Sequence, residues 1–330
     1  MLFRSSQSAP APSIPAPSSD IGIDGPTKWL LLDIPLLRDV DDGAVLYSVA
    51  RGVSKWTGAQ LYKSDDGAAW VSYGTAHLAA AAIGAAVDAL GNFSQNTFDE
   101  LNSVTVNLIG GALSSISELE VLNGGNAAIL GDEILQFKNA TLISGTQYKL
   151  TGLLRGRRGT EWARSTHAIG ERFALLSPSN TLVQPASTAD IGIVKRFRAV
   201  TFGTYINDAE TLALTYQGAS LKPYAPVLLG GGRNASGDVT INWVRRSRVG
   251  GAWSDYADVP IGEESESYEI EIWSSGYSTL KRTLTASTPT ATYTAAQQTA
   301  DFGGTQSTIY VRVYQLSAIV GRGYKLEGSL

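Results

Sequence analysis

The stretch Leu153-Leu-Arg-Gly-Arg-Arg-Gly-Thr-Glu-Trp-Ala163 constrains this chain more than any other. An apolar run at 148–154 feeds three arginines set among two glycines, and 170–176 reads as the next strand. Glycine lets the backbone turn where other residues are strained. Arginine ties a turn down with a planar, five-donor fork. A strand end, a forced turn and a polar clamp therefore coincide. Two uses follow. Arg155, Arg157 and Arg158 pin their own loop through carboxylates such as Glu161 and Glu171, because charged groups are rarely buried unpaired. Alternatively they offer a positive face to an anionic ligand or a neighbouring subunit.

Around this turn the chain alternates strand-length apolar runs with turn residues, which predicts a mainly β protein with one or two short helices. Residues 29–34, 45–50, 58–63, 104–109, 132–137, 195–202 and 212–216 all read as strands. Residues 5–19 alternate Pro, Ala and Ser, so 1–24 is expected to be a linker or disordered tail that lacks the apolar surface to offset its ordering entropy. The main β region then spans 25–222, divisible into 25–92 and 93–222. Lys222-Pro-Tyr-Ala-Pro226 is a rigid hinge, and 223–330 has the size and strand spacing of one β-sandwich.

Three local readings refine this outline. Asp65, Gly67 and Trp70 fit the spacing of the Asp-box hairpin of sialidase-type propellers, with Lys63 in place of its serine, and imply a hairpin in which the aspartate accepts backbone N–H bonds. The alanine-rich run 78–90 has helical propensity but lies among strands and is broken by Gly84, which favours irregular or strand structure. Residues 114–122 read as a short helix capped by Ser114 or Ser115 and ended by Asn123-Gly-Gly125.

Composition removes several function classes. The 330 residues include no cysteine, so disulfides, thiolate metal sites and cysteine nucleophiles are out. His77 and His167 are the two histidines, and they give little support to a zinc site or histidine-based catalysis. A net charge of -4 argues against general nucleic-acid binding. The longest uncharged run, 67–87, is too weakly apolar to span a membrane, and the start of the chain lacks the apolar core of a secretory signal. No phosphate-binding loop, HExxH or GxSxG motif occurs, and no cofactor is expected. Asp39, Asp41 and Asp42, or Glu263, Glu264 and Glu266, could supply paired carboxylates for glycoside hydrolysis or a calcium site, but acidic clusters in turns are more often solvated.

The strongest binding candidates are Arg245, Arg246 and Arg248 with Trp253, flanked by Trp243. Tryptophan faces stack on sugars, and arginine pairs with carboxylate or phosphate. The competing arrangement buries Trp243 in the sandwich core and bridges the arginines to Glu263, Glu264 or Glu266.

Two resemblances extend the reading. Residues 223–330, with a proline-led start, Trp243 on the second strand and Val311-Arg-Val313 late in the chain, resemble a fibronectin type III domain. The tyrosine that would form its corner hydrogen bond should fall at Ile309, whereas this chain has Tyr310 one place on. Residues 153–163, 167–173, 243–253, 259–264, 293–303 and 311–323 resemble the C-terminal part of the large baseplate protein of gene transfer agents and related siphophages, the megatron. That likeness runs from about Leu30 to the end of the chain. It implies a virion component of the tail-tip hub, assembled in the bacterial cytoplasm, that contacts other baseplate proteins and a host glycan or envelope receptor. It also implies a homotrimer, a hydrolase domain upstream in full-length relatives, and no catalytic residues in this segment. The departure is the short, linker-led start, since a full-length relative carries far more chain ahead of Leu30. The alternative from the residues themselves is a carbohydrate-binding fragment of a larger cell-wall- or polysaccharide-degrading enzyme.

Overall fold

The computed structural model describes residues 26–53, 55–251 and 258–330. The expected linker at 1–24 and Trp253 lie outside the described residues.

In chain order the strands begin with β1 (Lys28–Leu32), β2 (Val45–Arg51), β3 (Ala59–Ser64), β4 (Val71–His77), β5 (Ile83–Ala86) and β6 (Val104–Gly110). Helix α1 (Glu118–Leu122) follows, then β7 (Ala127–Leu130), β8 (Glu133–Ser144), β9 (Gln147–Arg157), β10 (Arg172–Leu175), β11 (Leu182–Pro185), β12 (Val194–Thr201) and β13 (Leu212–Thr215). The C-terminal part carries β14 (Val227–Arg233), β15 (Val239–Val244), β16 (Tyr268–Trp273), β17 (Leu280–Ala286), β18 (Thr290–Tyr293), helix α2 (Ala295–Phe302), β19 (Tyr310–Ser317) and β20 (Gly321–Ser329). The protein is mainly β, as its alternating pattern implies.

Strands β10-β5-β6-β9-β8-β7 close into a barrel, which leaves it no free edge. Its interior is filled by alternate residues of each strand, including Val104, Val106, Leu135, Phe137, Leu150 and Phe173. The outer face of the barrel is covered by the sheet β1-β2-β11, through Leu32, Tyr47, Val49, Ile83, Ile129 and Ile134. The other face of that sheet packs Leu31 and Leu46 against Leu61, Tyr73 and Phe197 of a third layer, β13-β12-β3-β4. Strands β2 and β7 therefore lie between two apolar layers, and their sequences run apolar on both faces where a half-exposed strand would alternate.

This layering corrects the division at 92/93. Strand β2 pairs with β11, β3 with β12, and β5 with both β6 and β10, so each sheet takes strands from both sides of that boundary. Antiparallel pairing across the chain buries more apolar surface than two consecutive small units could.

The local readings also meet the structure. Within 78–90 the regular element is β5, so the neighbouring strands override alanine's helical propensity. Helix α1 starts later than its serines suggest: Ser117 is the cap, and it forms a reciprocal box with Glu120. The hairpin joining β3 and β4 is present, but Asp66 rather than Asp65 accepts the N–H groups of Ala68 and Ala69. Asp65 instead holds Lys195, and the Trp70 ring lies beneath Arg198.

Beyond the hinge, β14-β15-β18 faces β17-β16-β19-β20 across a separate core that includes Ile241, Trp243, Tyr268, Ile270, Tyr293 and Val313. With the fourth strand in the second sheet, this is the strand order of a fibronectin type III-like sandwich. Helix α2 bridges the two sheets, started by a capping box between Thr294 and Gln297 and stopped by Gly303 in the left-handed region. Tyr310 makes no corner. Its ring meets Tyr277 edge-on, while Ile309 takes the buried place.

Trp243 is 3% exposed and packs edge-on against Tyr268 at 5.0 Å between ring centres. Replacing it with alanine removes a large part of the sandwich core. The Trp243→Ala chain is expected to lose about 3–5 kcal/mol of sandwich stability, measured by chemical denaturation.

Candidate functional site

The arginine turn sits where barrel and sandwich meet, and each of its residues has a distinct task. Arg155 is completely buried. Its Nε and Nη2 donate to Glu133 at 2.8–3.0 Å, its Nη1 to Asp99 at 3.1 Å and to the Gly91 carbonyl at 2.9 Å, and its Nη2 also to the Arg164 carbonyl at 3.1 Å. Glu133 further accepts from the Gly156 amide and from His167, whose other ring nitrogen meets Glu171 at 2.7 Å. Asp99 accepts the amides of Leu101 and Asn102. A chain of charges, Asp99–Arg155–Glu133–His167–Glu171, thus fastens the loops that cover one end of the barrel. Every donor and acceptor in it is matched, as a low-dielectric site demands.

Burial works against a charged His167, but the hydrogen bonds and charges of Glu133 and Glu171 outweigh it and hold the proton above the ordinary value of 6.5. Burial likewise works against the Glu133 carboxylate. His167 and Arg155 prevail and keep its carboxyl below the usual 4.5. His77 is the opposite case, a buried imidazole bonded to Ser48 and pushed down to about 4 by desolvation.

Arg157, Arg158 and Trp162 reach the surface, whereas Gly159, Thr160 and Ala163 are buried. Arg158 adopts a left-handed backbone and pairs with Asp39 at 3.2 Å. Gly159 is also left-handed, and a Cβ there would strike the Tyr224 ring, so the turn depends on this glycine. Glu161 receives both Nη atoms of Arg246 from the sandwich, at 2.6 and 3.1 Å. Arg248 donates to Asp42, Glu263 and the Gly262 carbonyl, and the Gly250 amide donates to Asp39. Arg245 binds Asp258 and the Val259 carbonyl. Trp162 stacks on Tyr324 of β20, with ring centres 5.7 Å apart and planes 16° from parallel.

The triplet Arg245, Arg246 and Arg248 is therefore already paired within the chain. Two of its members clamp the sandwich to the barrel layers, and Trp243 lies in the core. The acidic turns are paired too: Asp41 binds Arg38 and Tyr47, while Asp39, Asp42 and Glu263 serve the clamp. Glu266 accepts from the Tyr268 hydroxyl. Among the described residues, no group of three or more His, Asp or Glu side chains could hold a metal ion, and no helix is long and apolar enough to cross a membrane.

Two cavities flank the turn. The first, about 440 Å³, is lined by Arg38, Arg157 and Arg158 over Leu37, Ile134 and Leu176. The second, about 570 Å³, lies between barrel and sandwich and is lined by Trp162, Arg172, Lys222, Tyr324, Asp33 and Asp132, among others. Sequence reasoning found the turn but missed Glu133, Asp99 and His167 as its anchors, and Lys222 and Tyr324 as its neighbours. These lie far apart in the chain, and only the closure of the barrel and the docking of the sandwich bring them together.

A family model described as Rcc01698-like, C-terminal, matches residues 81–174. The match runs from just before β5 into β10, and so takes in the closed barrel with the arginine turn inside it. It covers under a third of the chain. A comparison with curated proteins finds no match. Among solved structures, domains d3–d4 of the rat CD45 extracellular region are 13% identical with a TM-score of 0.25, over 47% of this chain and 71% of that one. The FN1–FN3 domains of chicken CNTN1 are 10% identical with a TM-score of 0.24, over 93% and 98%. The sandwich assignment rests on its own strand order.

Two outcomes test this geometry. Exchanging charges at the clamp, Arg246→Glu or Glu161→Arg, is expected to weaken docking, and the double exchange to restore it. The coupling should be about 1–2 kcal/mol in a double-mutant cycle read by thermal unfolding. The buried network should also shape the stability–pH curve. His167, raised in the fold, contributes fully below 6.5 and is lost as pH climbs through its folded value; Glu133, lowered, contributes fully above 4.5 and is lost as pH drops through its own. His77 has the opposite slope to His167, losing stability as pH falls from 6.5 toward about 4, so the measurement is the difference between wild type and His167→Gln. That difference should be largest between 4.5 and 6.5 and shrink above it.

Proposed function

We propose that this chain is a non-catalytic structural module of a phage or gene-transfer-agent tail tip or baseplate, presenting surfaces for subunit assembly and for adsorption to the host cell. The family-model match to the barrel carries this reading, together with the baseplate resemblance of the longer sequence strings. The architecture supports it. A barrel without edges, two covering sheets and a sandwich clamped by Arg246 and Arg248 form a stiff, multi-layered body suited to holding partners at fixed positions. Of the acidic groups that could have formed a hydrolytic pair, Asp39, Asp41, Asp42 and Glu263 are instead bound to arginines within the chain.

On this reading the chain works in the virion and acts through contacts with other baseplate proteins, with copies of itself and with an envelope glycan. A second reading, a carbohydrate-binding appendage of a larger wall-degrading enzyme, draws on the cleft beside Trp162. The two differ in what surrounds the chain, and both assign recognition to this part of it.

Fluorescently labelled chain is expected to adsorb saturably to candidate host bacteria, to be displaced by unlabelled chain, and to release no soluble sugar or peptide from purified peptidoglycan or capsular polysaccharide. Turnover of either polymer would overturn the non-catalytic assignment. Uniform, non-saturable retention on every cell type would overturn the adsorption role.

A further inference from the structure

We infer that the cleft between the barrel and the sandwich binds a carboxylated saccharide, with the sugar ring against Trp162 and its carboxylate on Lys222. The inference rests on the adsorption reading above and names the ligand class and the site. Its chemistry comes from three observations.

The first is an aromatic platform. Trp162 is 42% exposed although one face is stacked on Tyr324, so indole surface stays open to the cleft. A large apolar ring left half in solvent beside a cavity provides a flat surface for the C–H face of a pyranose, and its area is among the largest that one side chain offers. Burial pushes the Tyr324 hydroxyl up to about 12, which keeps this wall uncharged.

The second is a cation whose ammonium has no hydrogen-bonded partner. Lys222 is half-buried, its ammonium lies 4.6 Å from the Tyr324 ring centre, and among the described residues that ammonium makes no hydrogen bond or close ion pair. Asp33 lines the same cleft and acts on Lys222 through its charge without a hydrogen bond to it, while its two carboxylate oxygens accept the Gln217 and Ala219 amides. A half-buried ammonium over a ring face, with no hydrogen bond to the protein, keeps its donors free for a ligand. The arginines around the turn are matched to carboxylates or carbonyls, apart from Arg157, which lines the other cavity. Lys222 is the corresponding vacancy on this side.

The third is the remaining lining. The cleft volume of about 570 Å³ lies within the range of about 300–1,000 Å³ typical of ligand sites. Arg172 and Lys325 add positive charge, each shared with an exposed or half-exposed carboxylate, Asp132 and Glu327. Thr215 and Gln217 supply neutral groups suited to hydroxyls. Nothing in this lining resembles a phosphate cradle. With Arg172 and Lys325 each engaged by a carboxylate, one uncommitted ammonium remains, which matches the single charge of a monocarboxylated sugar better than the double charge of a phosphate monoester.

Isothermal titration of the full chain with N-acetylneuraminic acid and with a glucuronic-acid disaccharide tests the inference; glucose and inorganic phosphate serve as controls. At least one acidic sugar should bind saturably below about 10 mM. Lys222→Gln should weaken it by about tenfold, and Trp162→Phe by less. Trp162→Ala should abolish it, with an unchanged thermal transition for Lys222→Gln showing that the fold persists. Three results would overturn the inference: no saturable binding of either acidic sugar at that concentration, equal binding of inorganic phosphate, or equal affinity in wild type and Lys222→Gln. If Lys222→Gln and Trp162→Phe chains still adsorb to host cells as wild type does, the adsorption role stands and this cleft is excluded from it.

Discussion

A guanidinium sealed inside protein must be matched by charge and by hydrogen bonds, and Arg155 sets that requirement at the end of the barrel. Removing one partner of a buried pair costs about 3–5 kcal/mol, because the other is left charged and alone. Glu133 and Asp99 meet the requirement only if the loops bearing Gly91, Asp99 and Arg164 close over the barrel end. Once they close, the path of the turn from Gly156 to Ala163 is fixed, and with it the places of Arg158, Glu161 and Trp162. The docking of the sandwich follows from an interaction inside the barrel. Glu161 reaches Arg246 because Arg155, six residues earlier, cannot move.

The layered packing has the same logic on an apolar scale. Strand β7 presents Ala128 and Leu130 to the barrel interior and Ile129 to the covering sheet, and β2 divides Tyr47 and Val49 from Leu46 in the same way. Each of these strands serves two cores at once. The layers from 26 to 222 are thereby bound to one another, whereas the sandwich keeps its own core and joins through polar and aromatic contacts.

What the sequence made legible follows from the range of the forces involved. Strand alternation, the turn at the arginines, the hinge at 222–226 and the sandwich pattern depend on near neighbours and can be read along the chain. The split at 92/93 failed because strand partners are chosen by long-range burial: the composition of β3 does not say that its neighbour is β12. The cap at Ser117 and the role of Asp66 were missed by one to three residues, since several serines or aspartates in a row compete and only the realised turn selects one. For the triplet Arg245, Arg246 and Arg248 the sequence offered a binding site or bridges to Glu263, Glu264 or Glu266; Arg248 does meet Glu263, but Glu161 and Asp42 were hidden because they lie 85 and 206 positions away from Arg246 and Arg248. The same distance concealed Lys222 and Tyr324 as neighbours of Trp162.

Position decides which cations remain open to a ligand. Along 153–164 and 245–248 the arginines are concentrated in turns, where carboxylates from other turns can reach them, and all but Arg157 are bound within the chain. Lys222 lies instead at the hinge, where the two proline rings of 222–226 restrict the backbone and the nearest carboxylate, Asp33, is engaged by backbone amides. A longer or freer segment would let the lysine swing to a partner; a rigid one holds it over Tyr324. The hinge therefore does two things at once: it joins the sandwich to the barrel layers, and it holds a positive charge over Tyr324 in the cleft that Trp162 also lines.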